Sequence, residues 1–178
     1  KATQAFLTLV CLWMAVTAGL FAFKYRASYT EGITTSRGSL FVLKAQGEPV
    51  REALRFLAEN TRPGDRVPVA PEGSALTFLA ERRMPLRHQM LFPDFMDARE
   101  EQRAIDEMRR SAIILVVNRP TREFGAEAYG RDFYRRSGEV LRNECRLEKI
   151  WGGDGSADQE IGSRSFFIKA YRPLNKVQ

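Results

Sequence analysis

Between Ala5 and Phe23 the chain reads AFLTLVCLWMAVTAGLFAF, 19 residues without a charge or a proline. At 1.5 Å per residue such a run, wound as a helix, covers about 28 Å, close to the roughly 30 Å hydrocarbon core of a bilayer. Lys24, Tyr25 and Arg26 come directly after it, cations and an aromatic of the kind that sit at headgroup level. A secretory signal peptide is the competing reading, with Val16-Thr17-Ala18 as a small-residue cleavage site. Its apolar region would be too long and its leading flank holds a single cation. A buried helix of a soluble core would carry a polar stripe, and none interrupts this run. Residues 1–26 are therefore expected to form one transmembrane helix. The chain opens on Lys1 rather than methionine, so a processed product or a piece of something longer is expected.

Beyond the apolar run the chain has the composition of one compact domain. The 178 residues are 44% hydrophobic and 28% charged with a net charge of +6, which suits one domain plus the appended helix. Opposite charges interleave, as in Arg99-Glu100-Glu101-Gln102-Arg103, the pattern of a solvated helix face. Basic residues interleaved with aromatics, as nucleic-acid surfaces use, are missing, so no nucleic-acid partner is expected; beside a membrane, lipid phosphates are the anions to meet. Cys11 lies in the apolar run and Cys145 deep in the remainder, which gives neither a disulfide framework nor zinc spacing.

Residues 27–48, rich in Ser, Thr and Gly, read as a juxtamembrane connector, and within them Leu40-Phe41-Val42-Leu43 reads as either a strand or a patch laid on the domain. The soluble domain is expected over 49–173, with a tail at 174–178. Pro49 opens a helix in which Val50, Ala53, Leu54 and Leu57 recur at helical spacing; the turn Thr61-Arg62-Pro63-Gly64-Asp65 ends it. Val67–Ala70 reads as a short strand and Ala75–Ala80 as a helix capped by Ser74. Met90–Met96 is apolar without a period, a loop pinned to core or membrane. Asp97 is placed to cap a helix over Ala98–Arg110, and Ala112–Val117, continuous and β-branched, is the clearest strand, of the kind buried on both faces. A helix over Asp132–Asn143 precedes two closing strands, Leu147–Trp151 and Ser165–Tyr171, whose Gly152–Gly155 connector suits an antiparallel pair. The fold class is α/β: one N-terminal transmembrane helix and a small Rossmann-like domain with a mixed sheet of about four strands, the first two parallel. Ligands of such sheets bind beyond the carboxyl ends of the strands, here Pro71-Glu72-Gly73 and Asn118-Arg119-Pro120.

No nucleotide-binding glycine loop, metalloprotease helix or nucleophile elbow occurs, and His88, the single histidine, has no Cys or His neighbour in sequence to share a metal. Asp94, Asp97, Glu100 and Glu101 are what a helix N-terminus attracts. Neither a catalytic group, nor a metal site, nor a cofactor is expected in this chain. Arg82, Arg83, Arg87 and His88 form the basic stretch suited to a partner's phosphate, since guanidinium forks match phosphate oxygens; balancing a helix C-terminus is the alternative role.

Taken in order, Val50–Leu57, Thr61-Arg62-Pro63-Gly64-Asp65-Arg66-Val67, Pro71-Glu72-Gly73, Thr77–Pro85, Leu91-Phe92-Pro93-Asp94-Phe95, Val116–Pro120, Phe124-Gly125 and Tyr129–Tyr134 resemble the C-terminal region of bacterial membrane glycosyltransferases of family 39, relatives of the protein O-mannosyltransferases and the lipid A aminoarabinose transferases. The resemblance covers the last membrane helix and the soluble domain after it. It implies the GT-C fold, a polyprenyl-phosphate-linked sugar as donor, inversion at the anomeric carbon, and a catalytic aspartate in an early exoplasmic loop outside these residues. It further implies a fragment that supports substrate binding, with Arg82, Arg83, His88, Asn118 and Arg119 bordering the cavity as phosphate or sugar ligands. Its partners would be the bilayer, the rest of the transferase membrane domain and the lipid-linked sugar. The location implied is the bacterial inner membrane with the domain in the periplasm, although Lys24, Arg26 and Arg37 against Lys1, taken by charge alone, would place it in the cytoplasm. A single-pass anchored periplasmic binding module without chemistry is the alternative.

Overall fold

The computed structural model describes residues 2–156, 159, 161–162 and 165–174; Lys1 and all but Leu174 of the expected tail lie outside them. Helix α1 spans Ala2–Ser28 without interruption, and its stretch Phe6–Ser28 is long and apolar enough to cross a membrane, with none of it buried against the rest of the chain. Thr8, Thr17 and Ser28 turn their hydroxyls back onto carbonyls three or four residues earlier, which removes their donors from an apolar surrounding.

The stretch read as a connector folds. Strands β1 (Glu31–Thr35) and β2 (Gly38–Val42) pair antiparallel from Glu31↔Val42 to Thr35↔Gly38, so the Leu40 run is a strand. Ile33 and Val42 point inward and are buried, while Phe41 faces out. Helix α2 (Lys44–Asn60) starts five residues ahead of the expected Pro49, which sits inside it. Proline is tolerated there although it leaves the Ala45 carbonyl without an N–H. Gln46 supplies the start by accepting from the Leu43 N–H at 3.3 Å. Gly47 is required by close approach, because a Cβ there would fall 2.9 Å from that of Glu31 on β1.

The main sheet is mixed and four-stranded in the order β3-β4-β6-β5, with β3 at Val69–Ala70, β4 at Ile114–Val117, β5 at Cys145–Gly152 and β6 at Phe167–Pro173. β3 runs parallel to β4, and β6 antiparallel to both β4 and β5. β4 lies inside the sheet with all four residues buried. Its alternation divides the protein: Ile113, Leu115 and Val117 face one core with α2 and the hairpin, Ile114 and Val116 face another with α4 (Ala98–Arg109) and α5 (Arg135–Asn143). Helix α3 (Ser74–Leu79) closes the first core through Leu76.

Three helix starts differ from expectation or refine it. Asp97 does cap α4, accepting from the Glu100 N–H at 2.7 Å while Glu100 reaches back to the Asp97 N–H, the reciprocal arrangement of a capping box. Ser74, by contrast, is the first helical residue of α3; Gly73 occupies the cap position, and no side chain caps it. Helix α5 begins at Arg135, three residues after the expected Asp132, because Tyr134 adopts a left-handed conformation at φ 48°. Buried Glu101 on α4 accepts from the Ser137 N–H at 3.0 Å, so a neighbouring helix satisfies an open donor of the α5 first turn. The Tyr134 hydroxyl donates to the Phe92 carbonyl and accepts from the Met96 N–H, both at 2.7 Å, and that is what pins the apolar 92–96 loop.

Because Ile114 is fully buried between layers, its truncation to alanine should cost about 2 to 5 kcal/mol. Urea unfolding measures it; a change under about half a kilocalorie, typical of surface sites, would contradict the two-sided burial.

Candidate functional site

Beyond the carboxyl ends of β3 and β4 lies a cavity of about 1060 Å³. Its floor is apolar, formed by Leu76, Val117, Pro120, Trp151 and Phe166, and the β2–α2 junction walls it with Leu40 and Leu43. Gly73 lies at its edge at φ 155°, where a Cβ would fall 2.5 Å from Cγ1 of Val69, so glycine is needed for the chain to turn there against the core. Three carboxylates stand around it, each matched by an arginine: Glu48 with Arg51 at 3.4 Å, Glu52 with Arg55 at 2.6 Å, and Glu72 with Arg119 at 3.2 Å. A near-neutral rim over an apolar floor suits an amphipathic ligand that brings hydroxyls and a hydrocarbon part.

The five expected ligands do not converge on it. Asn118 and Arg119 line the cavity, but in different roles. Asn118 is 3% exposed and donates to the Ser165 carbonyl while its Oδ1 accepts from the Gly162 N–H, both at 2.6 Å. It clamps the β5–β6 connection to the end of β4. Arg119 is about half exposed, shared between Glu72 and Glu123 at 3.2 Å each, with its guanidinium 5.9 Å from the Phe92 ring. An incoming anion would compete with two carboxylates for that fork.

Arg82 is a structural residue. Its Nε donates to Thr61 Oγ1 at 2.6 Å, and Nη2 donates to the carbonyls of Leu57 at 3.0 Å and Thr61 at 2.9 Å, with a further contact from Nη1 to the Ala80 carbonyl. The guanidinium thus caps the C-terminus of α2, where orphan carbonyls gather the negative end of the dipole. Arg83 is exposed. Its backbone bonds Asp65 and Val67, and its side chain has no partner among the described residues.

His88 lies elsewhere, in a second cavity of about 270 Å³ between Pro85–His88 and α4. Its Nε2 is 3.2 Å from Glu100 Oε1, which Arg87 also reaches at 3.1 Å. The His88 hydrogen bond, followed by that from the Asp97 N–H, holds the Glu100 carboxyl below its ordinary range. Burial pushes Cys145 up to about 11 and Tyr171 up to about 12, which leaves both inert in the second core. Among the described residues no group of three or more His, Cys, Asp or Glu side chains could hold a metal ion. The apolar walls went unnoticed in the sequence: Leu40, Trp151 and Phe166 each read locally as strand or core, and their convergence has no local signal. Against family models, curated proteins and solved structures the chain finds no match.

Arg82→Ala should destabilise the domain by about 2 kcal/mol, the scale of lost charge-assisted hydrogen bonds, and Arg82→Lys should not restore it, since an ammonium cannot span the same carbonyls; equal urea midpoints would refute the capping role. Glu100, with its folded pKa lowered from 4.5, stabilises the fold above that value and loses the contribution as pH falls through the lowered one. Glu100→Gln should therefore lessen the acid dependence of the melting temperature on the low-pH side, measured by calorimetry between pH 7 and 3.

Proposed function

We propose that this chain is the C-terminal part of a bacterial membrane glycosyltransferase that moves a sugar from a polyprenyl-phosphate donor to a lipid, glycan or protein acceptor. In this reading the domain lies on the periplasmic side of the inner membrane, performs no bond-making of its own, and supports substrate binding for the transferase membrane domain. The observation that carries the reading is the place of the large cavity. Its wall residue Leu40 pairs with Ile33, five residues after the end of the membrane helix, so it lies within about 20 to 25 Å of that end at full extension. A site so tethered meets ligands that are themselves held in the membrane. The ordered run of motifs that resembles family 39 suggests the reaction class.

Arg83 and Arg119 remain the residues with guanidinium surface to offer; Arg82 and Asn118 act by holding the fold, and His88 belongs to the smaller cavity. In the complete enzyme, Arg119→Ala and Arg83→Ala should each reduce kcat/KM for lipid-linked donor or for acceptor about tenfold or more, the scale of a lost charge-assisted contact, with the melting temperature unchanged. Arg119→Lys should recover little if the contact is a two-pronged fork. Unchanged kinetics in both alanine variants would reduce these arginines to solvated surface, and sugar transfer by the present chain alone would overturn the assignment of the chemistry to another part of the protein.

A further inference from the structure

The apolar run of α1 ends at Phe23, yet the helix continues to Ser28. Those five additional residues rise about 7.5 Å, about the depth of one headgroup layer. Tyr25 and Tyr29 stack there at 4.2 Å, an aromatic pair at interfacial level. β1 opens at Glu31, and Gly32 can stand no more than about 14 Å of chain from Ser28, which keeps the hairpin within reach of the headgroups and the upper acyl chains.

The outer face of that hairpin is built of Gly32, Thr34, Ser39 and Phe41, and Phe41 is 64% exposed although it lies in a regular strand. At the tip, Arg37 places its guanidinium 5.4 Å from the ring of Phe78 on α3, itself 54% exposed. Ser36 donates to Glu81 at 2.6 Å, tying the tip to the end of α3. Hairpin and α3 are thus one coupled unit, and between them Leu40, Leu43, Ala75 and Leu76 line the large cavity. Glu31 is paired by Arg51 and Glu81 accepts from Ser36, while the cations nearest the membrane are Lys24 and Arg26 at the end of α1 and Arg37 at the hairpin tip.

We propose that the β1–β2 hairpin and α3 form a foot that rests in the phospholipid interface, with Phe41 and Phe78 among the upper acyl chains and Arg37 at the lipid phosphates. Aromatic side chains flanked by arginine partition to that level, and an arginine already over a ring keeps its charge partly screened while the ring inserts. The foot holds the cavity mouth at the membrane surface, so a ligand with a long hydrocarbon part enters from the lipid rather than through water. The inference rests on α1 crossing the bilayer and is independent of sugar transfer.

The test uses the full chain, with Cys11→Ala, reconstituted in vesicles of phosphatidylcholine and phosphatidylglycerol; buried Cys145 stays unlabelled. Nitroxides are attached singly at Phe41→Cys, Phe78→Cys and Ser39→Cys, the last keeping both aromatic residues, and at Met14→Cys and Arg55→Cys as membrane and water references. Relaxation by oxygen, which concentrates in lipid, is compared with relaxation by a water-bound nickel chelate. The foot positions should show an oxygen-to-nickel ratio several-fold above that of Arg55 and below that of Met14. Ratios equal to Arg55 with Met14 deep in lipid would overturn the foot while leaving the anchor and the transferase reading intact. An aqueous Met14 would overturn the anchor and the foot together.

Discussion

Ile114 and Leu115 are adjacent in the chain and belong to different cores. Strand β4 is the wall between them, and burying its side chains from Ile113 to Val117 contributes about 10 kcal/mol in transfer terms, of the order of a domain's whole stability. Everything else is arranged on that strand. β3 must lie parallel to it and β6 antiparallel, α2 and the hairpin cover one face, and α4 and α5 cover the other. The carboxyl end of β4 then has nowhere to go except out of the sheet at Asn118, and the large cavity opens at that exit.

The polar side chains of the domain divide between holding and facing. Asn118 and Arg82 spend their polar groups on carbonyls and backbone N–H groups that would otherwise be buried without partners, a loss more costly than the bonds themselves are favourable. Glu101 and Tyr134 do the same for the start of α5 and the 92–96 loop. Arg83 and Arg119 stay at the surface, one unpaired among the described residues and the other poised between two carboxylates. A basic stretch in one dimension therefore becomes a cap, a surface cation and a member of a separate cavity in three.

A second constraint comes through chain length. Two residues separate the end of α1 from β1, too few to let the domain drift from the end of that membrane-length helix. The hairpin formed by residues 31–42 is the first part of the domain after α1, and α2 begins after one further residue. The cavity inherits that position because the hairpin is one of its walls. A longer, unstructured connector would have uncoupled the cavity from α1.

The patterns legible in the sequence were those set by local physics. An unbroken apolar run must be a membrane-length helix, a continuous β-branched run must be a doubly covered strand, and an aspartate three residues before a glutamate must cap α4; each depends on neighbours within a few turns. The mixed four-stranded sheet came from the same periodicities. Tertiary structure alone decided the rest. That Ser, Thr and Gly between 31 and 42 make a hairpin depends on Ile33 and Val42 finding the α2 core. That α2 starts ahead of Pro49 depends on Gln46 and on the packing of Gly47 against Glu31. The fates of Arg82 and Asn118 depended on carbonyls 21 to 47 residues away, and the cavity on walls contributed by Leu40, Val117 and Trp151, which no local pattern can bring together because their meeting is a property of the packed sheet.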